Sequence, residues 1–232
     1  MNKLTILILS ISCAFALPSC KKKENNSKIL NPNITYGSLT DIDGNQYATV
    51  NIGSIEIMAE NLKVTKYSNG DPIPNVQDGN EWINLSTGAW SHYNNDSQYE
   101  NPYGKLYNWY AISDSRNVCP SGWHVPTDSE WTSITDFLGG DTIAGGKMKS
   151  SGTQLWSSPN TDATNESGFS GLPGGNRRYD GFFSKMGGDG EWWIAVDSTY
   201  GGLIELVSYS GGIGRYYQVI KVKGLSVRCV KD

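Results

Sequence analysis

Two histidines, His92 and His124, and four cysteines, Cys13, Cys20, Cys119 and Cys229, are the residues best able to supply a nucleophile, a general base or a soft metal ligand. Metal sites and nucleophile–base pairs need several such groups to converge, and neither histidine has a partner at H-E-x-x-H or similar spacing. His124, between Trp123 and Val125, reads as a packed, hydrogen-bonded residue. No G-x-S-x-G occurs. Gly145-Gly146-Lys147 has part of a phosphate loop, but Met148 stands where Ser or Thr is required. Gly212-Ile213-Gly214 lacks the third glycine of a dinucleotide fingerprint, so both glycine runs read as turns. Asp41-Ile42-Asp43-Gly44-Asn45 alternates oxygen side chains as a calcium loop begins, yet Gln46 and Ile52 occupy the places that need Gly and a carboxylate. A turn is expected there, and neither a metal nor another cofactor.

The cysteines are better explained by export. Lys3 precedes an apolar run, Leu4 to Leu17, that is too short to span a ~30 Å hydrocarbon core and suits a signal segment. It closes in Leu17-Pro18-Ser19-Cys20, similar to a bacterial lipoprotein box. Residues 1–19 would then be the signal peptide, Cys20 the lipidated residue, and 20–37 a polar tether. The other reading is cleavage after Ala14-Phe15-Ala16, which leaves Cys20 a free thiol. Several acyl chains at ~0.8 kcal/mol per buried CH₂ would hold the protein on a membrane, and no second apolar run could span one. Cys119 and Cys229 remain. In an exported compartment two leftover thiols usually pair, with a redox or catalytic thiol pair as the alternative.

Composition narrows the classes further. The 232 residues carry 19 Lys+Arg against 23 Asp+Glu, a net charge of −4, which offers no footprint for nucleic acid. With 38% hydrophobic and 18% charged residues the chain is not disordered, and its length suggests one domain, at most two. Trp and Tyr number 8 and 13, so most of its rings carry a polar handle.

The elements that must position these groups read as α+β. Asp43-Gly44 and Gly53-Ser54 are turns around the β-rich runs Tyr47–Ile52 and Ile55–Met58, a meander. Residues 66–103 read as a long loop region. Leu106, Trp109 and Tyr110 share a helical stripe. A second helix starts at a capping box, Thr127 with Glu130, buries Trp131, Ile134, Phe137 and Leu138, and stops at Gly139-Gly140. Late strands are expected at Leu203–Tyr209, Arg215–Val222 and Leu225–Val230, between glycine doublets, with the two termini paired in one sheet. In a strand, Trp192 and Trp193 face opposite sides, which would leave one exposed.

Four stretches resemble the Fibrobacter succinogenes major paralogous domain: DIDGNQYATVNIG…MAENL (41–62), YGKLYNWYA (103–111), CPSGWHVPTDSEW (119–131) and SPN…TNESGFSGLPGGNR (158–177). The closing GLSVRCV (224–230) fits as well, so the resemblance covers about residues 38–232. It implies a C-type-lectin-like fold: two helices against a mainly antiparallel sheet, paired termini, long glycine-rich loops, and a Cys119–Cys229 disulfide. This chain has Ile57 where the family usually has Trp. Ser158-Pro159-Asn160 lacks the first carboxylate of the calcium-binding lectins, which argues against calcium-dependent sugar binding. The related formylglycine-generating enzymes need reactive cysteines beyond a staple. The family brings no established activity with it.

The functional expectation is therefore a non-enzymatic, outer-membrane-anchored lipoprotein that recognises a glycan or a protein. By the same resemblance the variable face lies in the late loops, which points to Arg177, Tyr179, Trp192, Trp193, Tyr200, Tyr209, Arg215 and Tyr216. Rings would stack and the two arginines would donate forked hydrogen bonds. The alternatives are a structural or adhesive surface protein and, more remotely, an enzyme of the formylglycine group.

Overall fold

Asp41 closes the first hairpin with its own side chain. One carboxylate oxygen accepts from the backbone N–H groups of Asp43 (3.0 Å) and Asn45 (2.9 Å), the other from the Asn45 amide (2.9 Å) and the Tyr47 hydroxyl (2.7 Å). Asp43 is equally engaged, by the Thr65 N–H and hydroxyl and by Lys66. The oxygen-rich stretch is a self-capped turn, as expected.

The computed structural model describes residues 29–196 and 199–232. The expected signal segment, Cys20 and the first part of the tether lie outside them. The later part of that stretch is docked: Leu30, Ile34 and Tyr36 pack on the core, and the Asn31 amide donates to the Asn165 carbonyl at 3.0 Å.

In chain order the strands begin with β1 (Gly37–Thr40), β2 (Gln46–Ile52), β3 (Ile55–Met58), β4 (Trp90–Ser91), β5 (Leu106–Tyr107) and β6 (Trp123–His124). They continue with β7 (Asn176–Arg177), β8 (Phe183–Ser184), β9 (Asp189–Ile194), β10 (Gly201–Val207), β11 (Ile213–Val219) and β12 (Val230–Lys231). The helices are short: α1 (Gly79–Ile83), α2 (Glu100–Tyr103), α3 (Trp109–Ile112), α4 (Asp128–Phe137) and α5 (Asp141–Met148). One sheet has the order β1-β2-β3-β12-β6, a second β11-β10-β9, and β4-β5 and β7-β8 form small ribbons. The pairing is antiparallel throughout these ladders, and the fold is α+β.

The termini do meet in one sheet, since Val230 pairs with Ile57 of β3 and with His124 of β6. Cys119 and Cys229 form a disulfide beside this junction, closing a loop of 110 residues. By the chain-entropy model such a loop constrains the unfolded state by roughly 4–5 kcal/mol. Ile57 is fully buried against Val50 and Val230.

Helix α4 carries both halves of the capping box and buries Trp131, Ile134 and Leu138. Phe137 does not join them. It is 67% exposed and lies over the Gly53 turn, where φ is +62° and a Cβ would stand 3.1 Å from its ring. The expected stripe from Leu106 is also interrupted. Leu106 and Tyr107 form a strand against Trp90 and Ser91, and Asn108 then caps a single helical turn by accepting from the Ala111 N–H at 3.0 Å.

Gly145 and Gly146 lie inside helix α5, so the turn expected there is not formed. They are small because neighbours press on them: a Cβ on Gly145 would sit 2.1 Å from the Gly212 carbonyl, and one on Gly146 2.6 Å from that of Asp162. Ile213 and Gly214 begin β11 rather than a turn. From Leu225 the chain makes isolated bridges, to Tyr107 and from Ser226 to Trp192, and becomes a strand only at Val230.

Candidate functional site

The register of the β9–β10 hairpin decides what each face of the second sheet carries. Trp193 stands opposite Leu203, Trp192 opposite Ile204, and Glu191 opposite Glu205. Because neighbours alternate, the two tryptophans leave in opposite directions, and both are buried. Trp192 enters the core beneath α4, edge-on to Phe169 at 5.4 Å, and donates to Asn61 Oδ1. Trp193 enters the core around the disulfide, edge-on to Trp109 at 5.5 Å, and donates to the Tyr107 carbonyl. The expectation that one would be exposed fails because this strand has core on both sides.

Farther along the Trp193 face the sheet opens into a cleft of about 660 Å³. Its floor holds the facing pair Glu191 and Glu205, together with Asp189. Like charges directly opposite on a sheet repel, so the pair needs a cation between them. Lys185 supplies it, with its ammonium 2.9 Å from Glu191, 2.6 Å from Glu205 and 2.7 Å from Asp189. Burial would lower the Lys185 ammonium, but the bonds to Asp189, Glu205 and Glu191 outweigh it and raise it. The backbone of Lys185 is in the left-handed region, φ 71°, an uncommon place for a long side chain.

A second ammonium, that of Lys223, reaches the other Glu191 oxygen at 2.7 Å, and the Asn176 amide donates to the same oxygen at 3.0 Å. The Glu205 charge and its hydrogen bond raise the Tyr216 hydroxyl above its ordinary value. The three carboxylates present one oxygen each within 4.8 Å of one another, the donor set of a hard divalent cation, and here Lys185 occupies it.

Three of the eight residues expected to form the recognition face line this cleft: Tyr179, Tyr209 and Tyr216, exposed by 54%, 72% and 51%. The other five do not. Arg177 is fully buried, 4.2 Å over the Trp82 ring, and donates to the carbonyls of Val76 (2.6 Å) and Gln77 (2.9 Å). Burial lowers it to about 10. Arg215 forks to the half-exposed carboxylates of Asp128 and Asp141, each at 3.1 Å, and to Thr135, joining β11 to α4 and α5. Tyr200 is exposed but away from the cleft, and Trp192 and Trp193 are core.

Neither histidine lines the cleft. His92 is 2.7 Å from Glu100, which also pairs with Lys105. His124 bridges Asp232 (2.6 Å) and Glu130 (2.9 Å), hydrogen-bonded as expected but partly exposed rather than packed.

Sequence reasoning missed the polar floor. Glu191 and Glu205 are ordinary surface residues to a composition argument, and only the hairpin register makes them neighbours. A strand pairing that places both tryptophans against Leu203 and Ile204 would have placed the glutamates together as well.

The family model of the Fibrobacter succinogenes major domain matches residues 50–231. No curated protein and no solved structure matches the chain.

Proposed function

This chain belongs to the Fibrobacter succinogenes major domain family, and on that premise we propose that it is a non-enzymatic lipoprotein of the cell envelope. Cys20 would anchor it in the outer membrane, and its domain, C-type-lectin-like in fold, would hold a glycan in the β9–β11 cleft.

One observation carries the ligand reading. Three exposed tyrosines surround a floor that offers carboxylate acceptors beside ammonium and amide donors. A sugar presents both matching surfaces: C–H faces for the rings, and hydroxyls that donate to a carboxylate while accepting from a neighbouring N–H. The paired termini and the disulfide beside them support the fold. With Cys119 and Cys229 bonded to each other, the formylglycine chemistry has no free thiol among the described residues.

A glycan array probed with the wild type, Tyr209→Ala and Tyr216→Ala tests the site. Sugars retained by the wild type and lost by both variants support it; hits indifferent to both remove it. Cys20→Ser should move the protein into the soluble fraction, and an unchanged membrane partition would count against the anchor. The adhesive reading draws on exposed Phe182, Tyr217 and Ile220. It predicts capture of a protein partner with no sugar hits.

A further inference from the structure

We infer that the glycan taken by this cleft carries a free primary ammonium, as a deacetylated amino sugar does, and that Lys185 is the internal cation it replaces. The inference rests on reading the cleft as a glycan site and adds the charge class of the ligand.

The geometry of the floor comes first. An alkylammonium has three N–H donors and no acceptor, so it fits three acceptors grouped on one side of it. Asp189, Glu191 and Glu205 form such a group, and the Lys185 ammonium meets all three at 2.6–2.9 Å. The floor is thus already shaped around an R–NH₃⁺ group.

Charge then selects among sugars. Lys223 attends Glu191, but among the described residues the one ion pair made by Asp189 and by Glu205 is with Lys185. A neutral hydroxyl that displaced Lys185 would leave two carboxylates without a cation. A ligand ammonium would restore the contacts, because it brings the same charge and the same donors. The cleft lining as a whole holds three carboxylates and three cations, Lys185, Lys223 and Arg178, the last paired with Asp180, so the preference rests on these local contacts and not on a net charge. An N-acetyl group loses both advantages, since it has no charge and one N–H.

Lys185 is also the solvent-accessible partner in this group. Its side chain is 41% exposed on a flexible stem at the turn between β8 and β9. Lys149 shows the contrast: it is fully buried and held by the carbonyls of Thr161, Val207 and Ser210. The rim tyrosines add ring faces that favour a cation near them.

The test is calorimetric titration of the full-length protein with a glucosamine hexasaccharide and with its fully N-acetylated counterpart. The expected result is at least about tenfold tighter binding of the amine form, since a charge-assisted hydrogen bond is stronger than a neutral one. Added salt should narrow that gap. Lys185→Gln should tighten binding of the amine form about tenfold further, as its competitor is gone. Glu205→Gln should weaken it by a similar factor and weaken the acetylated form less, so that the gap between the two sugars closes. If Lys185→Gln fails to fold, the isosteric Glu205→Gln carries the test alone. Equal affinity for the two sugars overturns the ammonium inference and leaves the glycan reading standing. Binding of neither sugar also overturns it, and the array of neutral glycans then decides the broader reading separately.

Discussion

Arg228 donates its Nε–H to Asn61 Oδ1 at 2.9 Å, joining residues 167 positions apart. The same oxygen accepts from the Trp192 indole at 2.8 Å, while the Asn61 amide nitrogen donates to the Tyr103 carbonyl and the Ser226 hydroxyl. One amide therefore ties the Met-Ala-Glu-Asn-Leu segment to the approach of β12 and to the core face of β9. The Arg228 guanidinium is fully buried, 4.0 Å over the Phe169 ring, and donates to the carbonyls of Phe169 and Ser170. Burial lowers it to about 9.

Asn61→Leu keeps the volume and removes every one of those bonds. It leaves the Trp192 indole N–H, one guanidinium N–H, the Tyr103 carbonyl and the Ser226 hydroxyl short of a partner. At about 1–3 kcal/mol for each unsatisfied buried group, partly relieved by relaxation, the expected loss is about 3–5 kcal/mol. Urea denaturation should show a lower midpoint with an unchanged slope. A shift worth less than about 1 kcal/mol would mean that the network is not the clasp described.

Gly145→Ala sets two effects of opposite sign against each other. Alanine is the better helix residue by about 1 kcal/mol. Its methyl, however, would lie 2.1 Å from a backbone carbonyl, that of Gly212, which no rotamer change can move. Overpacking of this kind costs about 1–3 kcal/mol or more, so the variant should melt lower than the wild type. A higher melting temperature would show that the Gly212 loop yields freely.

What could be read from the chain depended on whether the signal was local. The Thr127–Glu130 capping box, the Asp41 turn and the β2–β3 hairpin each lie within a dozen residues and were legible. Phe137 continued the α4 pattern but fell on the exposed side, because the Gly53 turn occupies the space where core would have to be. Gly145-Gly146 resembled a turn because glycine spacing does not distinguish a bend from a helix pressed against a neighbouring backbone. Of the residues expected on one face, Tyr179, Tyr209 and Tyr216 do line a common cleft. Arg177 and Arg215 do not, because each guanidinium is taken up by the protein's own acceptors, buried carbonyls for Arg177 and half-exposed carboxylates for Arg215. The Glu191–Lys185–Glu205 floor was invisible because it exists only through a long-range strand register.

His124 gives the fold a pH dependence. Burial would lower its pKa, but the bonds to Asp232 and Glu130 prevail and raise it above the ordinary ~6.5. The raised value means that the folded state holds this proton more tightly than the unfolded chain. The stabilisation is complete below about pH 6.5 and is lost as pH rises through the folded-state value. The melting temperature should therefore decline across the interval just above pH 6.5, and His124→Gln should flatten that step. The side chain is 37% exposed, so the step should be small and should shrink with added salt. A step of equal size in His124→Gln would assign it to another group.

Tyrosine and tryptophan variants should separate by what they damage. Trp192 and Trp193 are buried at the centres of two cores, each with its indole N–H engaged, and truncating a buried tryptophan to alanine costs about 3–5 kcal/mol. Trp192→Ala and Trp193→Ala should therefore lower the melting temperature by about 6–20 °C, taking 2–4 °C per kcal/mol in a domain of this size. Any ligand they lose would be lost through unfolding. Tyr209 is 72% exposed, so Tyr209→Ala should change stability by no more than about 0.5 kcal/mol. If the cleft is the recognition surface, Tyr209→Ala is the variant that loses binding while keeping the wild-type melt. Thermal melts paired with array binding on the three variants make the comparison. A Tyr209→Ala protein that melts and binds as the wild type does, beside tryptophan variants that lose both properties, would move recognition away from the cleft.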